Sequence, residues 1–384
     1  GPAMNIPVYL DYNATTPVDP EVADAIEPYL WGLYGNPSSS HAFGRRARDA
    51  VEHARAQVAA LIGAWPDEII FTGCATEANN LAIRGVARAL RDKGRHLITS
   101  SVEHPAVSQP CKRLEEDGWK VSVVPVDNHG RVNPEDVVNA IRSDTVLVSI
   151  MHANNEVGTI QPIEDIAAAT QRHGILLHTD AAQSIGKIPV NVDMLGADLL
   201  TLAGHKFYAT KGVGALYVRE GTPIEPVLVG AGHERGLRPG TENVPAIVGL
   251  GKAAELALKK DRADTSRLLE LREQLHKLLE RGIPGLELNG HRSQRLPNTL
   301  NLSFPDTDGR ELLLIASEAV AASVGSACHE EGEAVSGVLG AMGISAHRAR
   351  GAVRLSLGIP STGAEVEHAA AVLINAWVKQ QGRL

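Results

Sequence analysis

The sequence predicts an α/β protein: a large domain on a mostly parallel mixed sheet, followed by a smaller C-terminal α+β domain. Three observations carry this. Seven short apolar runs between residues 68 and 218 alternate with helical stretches. Most are continuously apolar, as strands covered by helices on both faces are. Beyond Gly282 the texture changes to shorter strands and a closing helix. At 384 residues the chain is long enough to fill a large core and a second, smaller one.

Taken in order, Gly1-Pro2-Ala3 ahead of Met4 reads as a scar of tag removal and is left out of the fold. From about Phe43 to Ile62, Ala47, Ala50, Val51, Ala54, Val58, Leu61 and Ile62 recur at helical spacing among arginines and acids, which predicts an amphipathic surface helix. Strands are predicted at Glu68–Phe71, His96–Thr99, Val121–Val124, Val146–Met151, Ile175–His178, Leu199–Leu202 and Gly214–Val218. Residues Ala246 to Arg281 read as helix, and the charges around Lys259-Lys260-Asp261-Arg262 as its solvated face. Strands at Thr299–Phe304, Val320–Ser323 and Val353–Leu357 follow, then a last helix from about Gly363 that Thr362 and Glu365 introduce at capping-box spacing. The expected division is 18–260 for the large domain, with 4–17 and 261–384 forming the small one.

Bulk properties exclude several classes. A net charge of −8 offers no basic field for a phosphate backbone, so direct nucleic-acid binding is not expected. No apolar run has the length of a membrane span and no secretory leader pattern opens the chain, so a cytoplasmic location is expected. Cys74, Cys111 and Cys328 are odd in number and lack metal-ligand spacing, which argues against a disulfide framework and against a metal site.

The chemistry concentrates at strand ends. His178-Thr179-Asp180-Ala181-Ala182-Gln183 places a carboxylate after one apolar strand, and Gly204-His205-Lys206 places a lysine after the next. Burial disfavours the charged form of a lysine and lowers its pKa, which suits an imine-forming amine. A carboxylate that keeps a pyridine nitrogen protonated is the other half of a pyridoxal-phosphate site. Thr72-Gly73-Cys74-Ala75-Thr76-Glu77, a small-residue turn between strand and helix, offers free amides to a phosphate, although many such turns are purely structural. Lys211-Gly212-Val213-Gly214 lacks Walker spacing and leads into a strand. His104 could be an ordinary satisfied side chain or an imidazole over a cofactor ring; Asn154-Asn155 could be only a polar turn. Their common place beyond the carboxyl ends of strands, with Asp180 and Lys206, favours a ligand site. Cys328 sits among small, polar residues, as a thiol on a mobile loop does, although a buried structural cysteine is the common alternative. Arg354, in an otherwise apolar strand, has the planar donors to hold a substrate carboxylate.

These residues resemble a known family: the NifS-like enzymes of the class V aminotransferase fold, which comprise cysteine desulfurases and selenocysteine lyases. The resemblance spans Tyr9 to the last helix and rests on Tyr9-Leu10-Asp11-Tyr12-Asn13-Ala14-Thr15-Thr16-Pro17, Gly35-Asn36-Pro37-Ser38-Ser39, Ala75-Thr76-Glu77, Val102-Glu103-His104, Ala153-Asn154-Asn155-Glu156, His178-Thr179-Asp180, Gly204-His205-Lys206, Arg238-Pro239-Gly240-Thr241-Glu242-Asn243, Arg295-Leu296-Pro297-Asn298-Thr299 and Gly325-Ser326-Ala327-Cys328. It implies the fold type I of pyridoxal-phosphate-dependent transferases. By this resemblance Lys206 binds pyridoxal 5'-phosphate and moves protons, Asp180 pairs with the pyridine nitrogen, Gln183 with the ring hydroxyl, and His104 stacks on the ring. Ala75, Thr76 and His205 hold the phosphate, joined by Thr241 from a second subunit, which implies a homodimer with shared active sites. Asn13, Asn155 and Arg354 meet the substrate, and Cys328 takes its sulfur or selenium, leaving L-alanine.

The resemblance implies a cysteine desulfurase with selenocysteine-lyase-like features, served by a small amino acid and by a protein that accepts the sulfur or selenium. A strict selenocysteine lyase and an aminotransferase of the same fold are the alternatives. Three departures stand out. Many family members carry serine where this chain has Ala203. Cys74 takes a place often held by glycine. The Glu-Pro-Ser usual after the loop cysteine in housekeeping desulfurases is absent, and Ser323-Val324-Gly325 and Cys328-His329, together with Arg238-Pro239-Gly240-Thr241-Glu242-Asn243, look more like the lyases.

Overall fold

The computed structural model describes residues 6–325, 335 and 337–382, with the backbone alone over 260–263. The chain enters through a two-residue strand, β1 (Val8–Tyr9). Seven strands then build the main sheet: β2 (Ile69–Thr72), β3 (His96–Ser100), β4 (Lys120–Val124), β5 (Thr145–Ser149), β6 (Leu176–Asp180), β7 (Leu199–Ala203) and β8 (Gly214–Val218). Their order across the sheet is β2-β8-β7-β6-β5-β3-β4. The pairs β3–β4, β3–β5, β5–β6 and β6–β7 are parallel, whereas β8 runs antiparallel to both β7 and β2. The reversal has a simple cause. Only a short loop separates Ala203 from Gly214, too little chain for a crossover, so the strand must return antiparallel.

All five residues of β3, β5, β7 and β8 are buried, which is why their sequences lack alternation. Each fully buried leucine or isoleucine there contributes about 1.5–3 kcal/mol relative to exposure. β5, β6 and β7 are also tied by a polar bridge inside the core. His178 Nδ1 lies 2.7 Å from Ser149 Oγ and its Nε2 lies 2.9 Å from Thr201 Oγ1, and burial holds its pKa down at about 3, so the ring is neutral.

The second sheet has the order β12-β10-β9 and is antiparallel, built from β9 (Glu287–Asn289), β10 (Thr299–Ser303) and β12 (Ala352–Ser356). The expected strand at Val320–Ser323 is shorter, β11 (Val320–Ala321), and pairs in parallel with β1; Ser323 makes an isolated bridge to Arg354 instead. A hydrophobic cluster around this sheet includes Leu10, Leu275, Leu300, Val353 and Leu373, and is distinct from the clusters on the main sheet. One helix, Val244–Gly282, runs through position 260, where the sequence suggested a division. The last helix, Gly363–Gln381, has the expected capping box: Glu365 N donates to Thr362 Oγ1 at 3.2 Å and Thr362 N to Glu365 Oε1 at 3.0 Å. No described helix is long and apolar enough to cross a membrane.

Because β3, β5, β6 and β7 are parallel, their carboxyl ends share one edge, and the segments carrying His104, Asn155, Asp180 and Lys206 emerge together there.

Candidate active site

Asn13, Ala75, Thr76, His104, Asn155, Asp180, Gln183, His205, Lys206 and Arg354 all line one cavity of about 480 Å³ at that edge. Of the remaining expected residues, Thr241 is exposed and does not line this chain's cavity, and Cys328 lies outside the described residues.

Lys206 closes a single 3-10 turn, Gly204–Lys206, after β7. Its Nζ donates to the backbone carbonyls of Asn13 at 2.6 Å and Ala14 at 2.9 Å. Burial, reinforced by Arg354, lowers its pKa to about 8 despite the opposing pull of Asp180 and Asp11. The turn is clamped. His205 O accepts from Thr16 N at 3.0 Å and Thr16 Oγ1 at 2.9 Å. Tyr208 sits in the left-handed region, φ 76°, which costs a non-glycine residue about 1–3 kcal/mol. Three contacts hold it there: Tyr208 N donates to Thr16 Oγ1 at 3.0 Å, Tyr208 O accepts from Asp19 N at 3.0 Å, and its hydroxyl accepts from Ile359 N at 2.7 Å.

Asp180 ends β6, buried, with each carboxylate oxygen fixed: Oδ1 accepts from Ala182 N at 3.0 Å and Oδ2 from Asn79 Nδ2 at 2.9 Å. Helix Ala75–Ala89 opens at the other side, with Cys74 as its N-cap and Cys74 Sγ accepting from Glu77 N at 3.4 Å. Gly214 makes this approach possible, since a Cβ there would lie 2.8 Å from the Cys74 carbonyl carbon. The first turn of the helix presents unsatisfied amides and a positive dipole end at Ala75 and Thr76. His205 faces the same cavity; burial lowers its pKa to about 4, and its Nδ1 lies 2.9 Å from Thr15 Oγ1.

His104 caps helix Pro105–Glu116, where its Nδ1 accepts from Ala106 N at 3.0 Å. The proton of the neutral ring is therefore on Nε2. Desolvation lowers its pKa, so the neutral form is favoured. The preceding Glu103 turns its carboxyl inward, accepting from Met151 N at 2.9 Å and from Ser100 Oγ, and burial raises its pKa to about 8. A carboxyl with a raised folded pKa keeps its proton in the folded state while the unfolded chain has lost it. Glu103 therefore destabilises the wild type progressively as pH rises from its unfolded pKa near 4.5 to about 8. Glu103→Gln is expected to gain stability relative to wild type across that window, by at most about 1.4 kcal/mol per pH unit, and no trend below it. Denaturant melts at pH 4, 6 and 8 check this; a constant difference contradicts it.

Arg354, on β12, donates from Nη1 to Asn155 O at 3.1 Å and from Nη2 to Asp11 Oδ1 at 2.9 Å, while its buried Nε has no hydrogen-bond partner among the described residues. The Asn155 side-chain amide has no protein partner there either and remains available to a ligand. Asn13 lines the cavity and is also a structural tie. Its Nδ2 donates to Asn155 O and Thr299 Oγ1, and its Oδ1 accepts from Lys187 Nζ and Asn298 Nδ2, so its amide is fully committed to the protein. Sequence reasoning missed Asn79, Lys187, Asn298 and the ion pair of Asp11 with Arg354. Their partners lie far away in sequence, and only the position of Lys187 one helical turn after Gln183 carried a local signal.

The aminotransferase class-V family model matches residues 8–368. The chain is 49% identical over 371 residues to the cysteine desulfurase IscS of Dictyoglomus turgidum, covering 96% of this chain and 94% of that protein. It is 48% identical over 364 residues to the cysteine desulfurase IscS of Methanosarcina thermophila, covering 94% and 90%. Among solved structures, a NifS-like protein superimposes with a TM-score of 0.91 at 40% identity, covering 96% and 99% of the two chains. SspA in complex with cysteine does so with a TM-score of 0.80 at 38% identity, covering 91% and 98%. This chain belongs to the class-V aminotransferase family.

Proposed function

We propose that this protein is a pyridoxal-phosphate-dependent cysteine desulfurase, which removes the sulfur of L-cysteine and leaves L-alanine. The observation that carries the reading is the convergence on one cavity of a lysine whose pKa is lowered to about 8 and a doubly anchored aspartate. Near-full-length relatives named cysteine desulfurase support the same activity.

The residues present fit the cofactor by the chemistry of their donors. Ala75, Thr76 and His205 would hold its phosphate at a helix N-terminus, Asp180 its pyridine nitrogen, Gln183 its ring oxygen, and His104 would lie against the ring. When bound, pyridoxal phosphate supplies an electron sink that acidifies the carbon beside the substrate amine. Lys206, neutral in appreciable fraction near physiological pH, takes and returns protons at the substrate carbons. Arg354 and the Asn155 amide orient the substrate carboxylate. The Cys328 thiolate attacks the substrate sulfur: an S–S bond forms, the C–S bond breaks, its electron pair stays on carbon, and a proton completes alanine.

Thr241 completes the phosphate site from a second copy of the chain, in a homodimer. The domains divide as 18–260 against 4–17 with 261–384, a reading that the separate hydrophobic clusters support. The location is cytoplasmic, and a sulfur-accepting protein takes the product from Cys328.

Cys328→Ala tests the assignment. Alanine release from L-cysteine with reductant present is expected to fall to about a hundredth or less of wild type, and unchanged release would make Cys328 incidental. The same variant on L-selenocysteine separates the chalcogens, because an equal loss on both argues against selenium-specific chemistry.

A further inference from the structure

Lys187 is a buried lysine directly behind the cavity, and the chemistry above does not use it. Its Nζ donates to Asn13 Oδ1 at 2.9 Å and to Gln183 Oε1 at 2.9 Å, and no described carboxylate pairs with it. Burial lowers its pKa well below that of an ordinary lysine, with Lys206 and Arg354 adding to the effect. A buried amine without a counter-ion is costly to keep, so its place calls for a cause.

The cause lies in the orientation of one amide. Gln183 faces the Asn13 carbonyl at 3.0 Å, and a carbonyl only accepts, so the Gln183 atom there is Nε2. Oε1 then faces Lys187 and needs a donor, which Lys187 supplies. The carbonyl that fixes Nε2 is also the one that takes Lys206 Nζ at 2.6 Å, so the two cavity-facing groups share one anchor. With one Nε2 proton spent on Asn13, the other is left for the cavity that Gln183 lines.

We propose that Lys187 is a positioning residue acting through Gln183: by holding Oε1 it presents a donor, never an acceptor, to the cavity, and so favours an anionic over a protonated ring oxygen on the bound cofactor. The inference rests on the pyridoxal-phosphate reading above.

The test compares wild type, Lys187→Met, Gln183→Met and the double variant, by the dissociation constant of pyridoxal phosphate added to apo-protein and by the balance of yellow and ultraviolet-absorbing forms of bound cofactor at one pH. Lys187→Met is expected to weaken binding about tenfold, as for loss of one well-placed hydrogen bond, and to shift the balance away from the yellow form. The double variant is expected to bind no more weakly than Gln183→Met alone, since Lys187 acts only through that amide. Additive losses, or a folded Lys187→Met with unchanged affinity and spectrum, overturn the proposal. If Lys187→Met does not fold, Gln183→Glu probes the contact from the other side: it turns an acceptor to the cavity and should deplete the yellow form, and an unchanged spectrum overturns the proposal. A wild-type protein that gains no visible band overturns the cofactor reading, and this inference with it.

Discussion

Lys206→Ala is expected to lower alanine release from L-cysteine by about 10⁴-fold or more, because it removes the amine that, in the mechanism proposed above, takes and returns protons at the substrate carbons. The fold should survive. Lys206 Nζ contributes two hydrogen bonds to the Asn13 and Ala14 carbonyls, and without it the Gly204–Lys206 turn keeps its Thr16 contacts while Tyr208 after it keeps those to Thr16, Asp19 and Ile359. Turnover with added pyridoxal phosphate, paired with a thermal melt, checks both halves. A melting temperature near wild type with turnover retained within about tenfold would remove Lys206 from the chemistry.

Asp180→Ala is expected to cost about 10²- to 10³-fold in kcat, the size of effect seen when one preorganised electrostatic partner of a developing charge is removed. The carboxylate is anchored by Asn79 Nδ2 and Ala182 N, so the donors it leaves behind remain in place, and Asp180→Asn keeps the shape while losing the charge. Both variants should lose kcat far more than they raise KM, since in the proposed mechanism the charge acts on the reacting system and not on capture of the amino acid. Steady-state rates over a range of L-cysteine concentrations check it. Asp180→Asn at wild-type kcat would show that the charge is not needed.

The strands were legible because burial on both faces erases alternation: the Leu-Leu-Thr-Leu-Ala of β7 and the Thr-Val-Leu-Val-Ser of β5 can hardly be read otherwise. The reversed direction of β8 was legible in principle from the short span between Ala203 and Gly214, and periodicity does not carry it. The site residues at strand ends were legible one by one as His104, Asp180 and Lys206, and the parallel register of β3, β5, β6 and β7 explains why they meet. What sequence did not show is the layer behind them. Asn79, Lys187 and Asn298 act through bonds to residues that are distant in the chain or displaced by a turn, and neither the motif around Asn298 nor the spacing of Lys187 from Gln183 says which partner each one holds. Asn13 illustrates the same limit: the family resemblance set it among the substrate-binding residues, and the structure adds that its amide ties β10, the Asn155 loop and Lys187 together.

The desulfurase assignment stands or falls on the products that the protein, loaded with pyridoxal phosphate and given L-cysteine and a reductant, releases at steady state. It predicts L-alanine and sulfide in equal amounts. A keto acid without sulfide, or no product from a protein that has bound the cofactor, would contradict it.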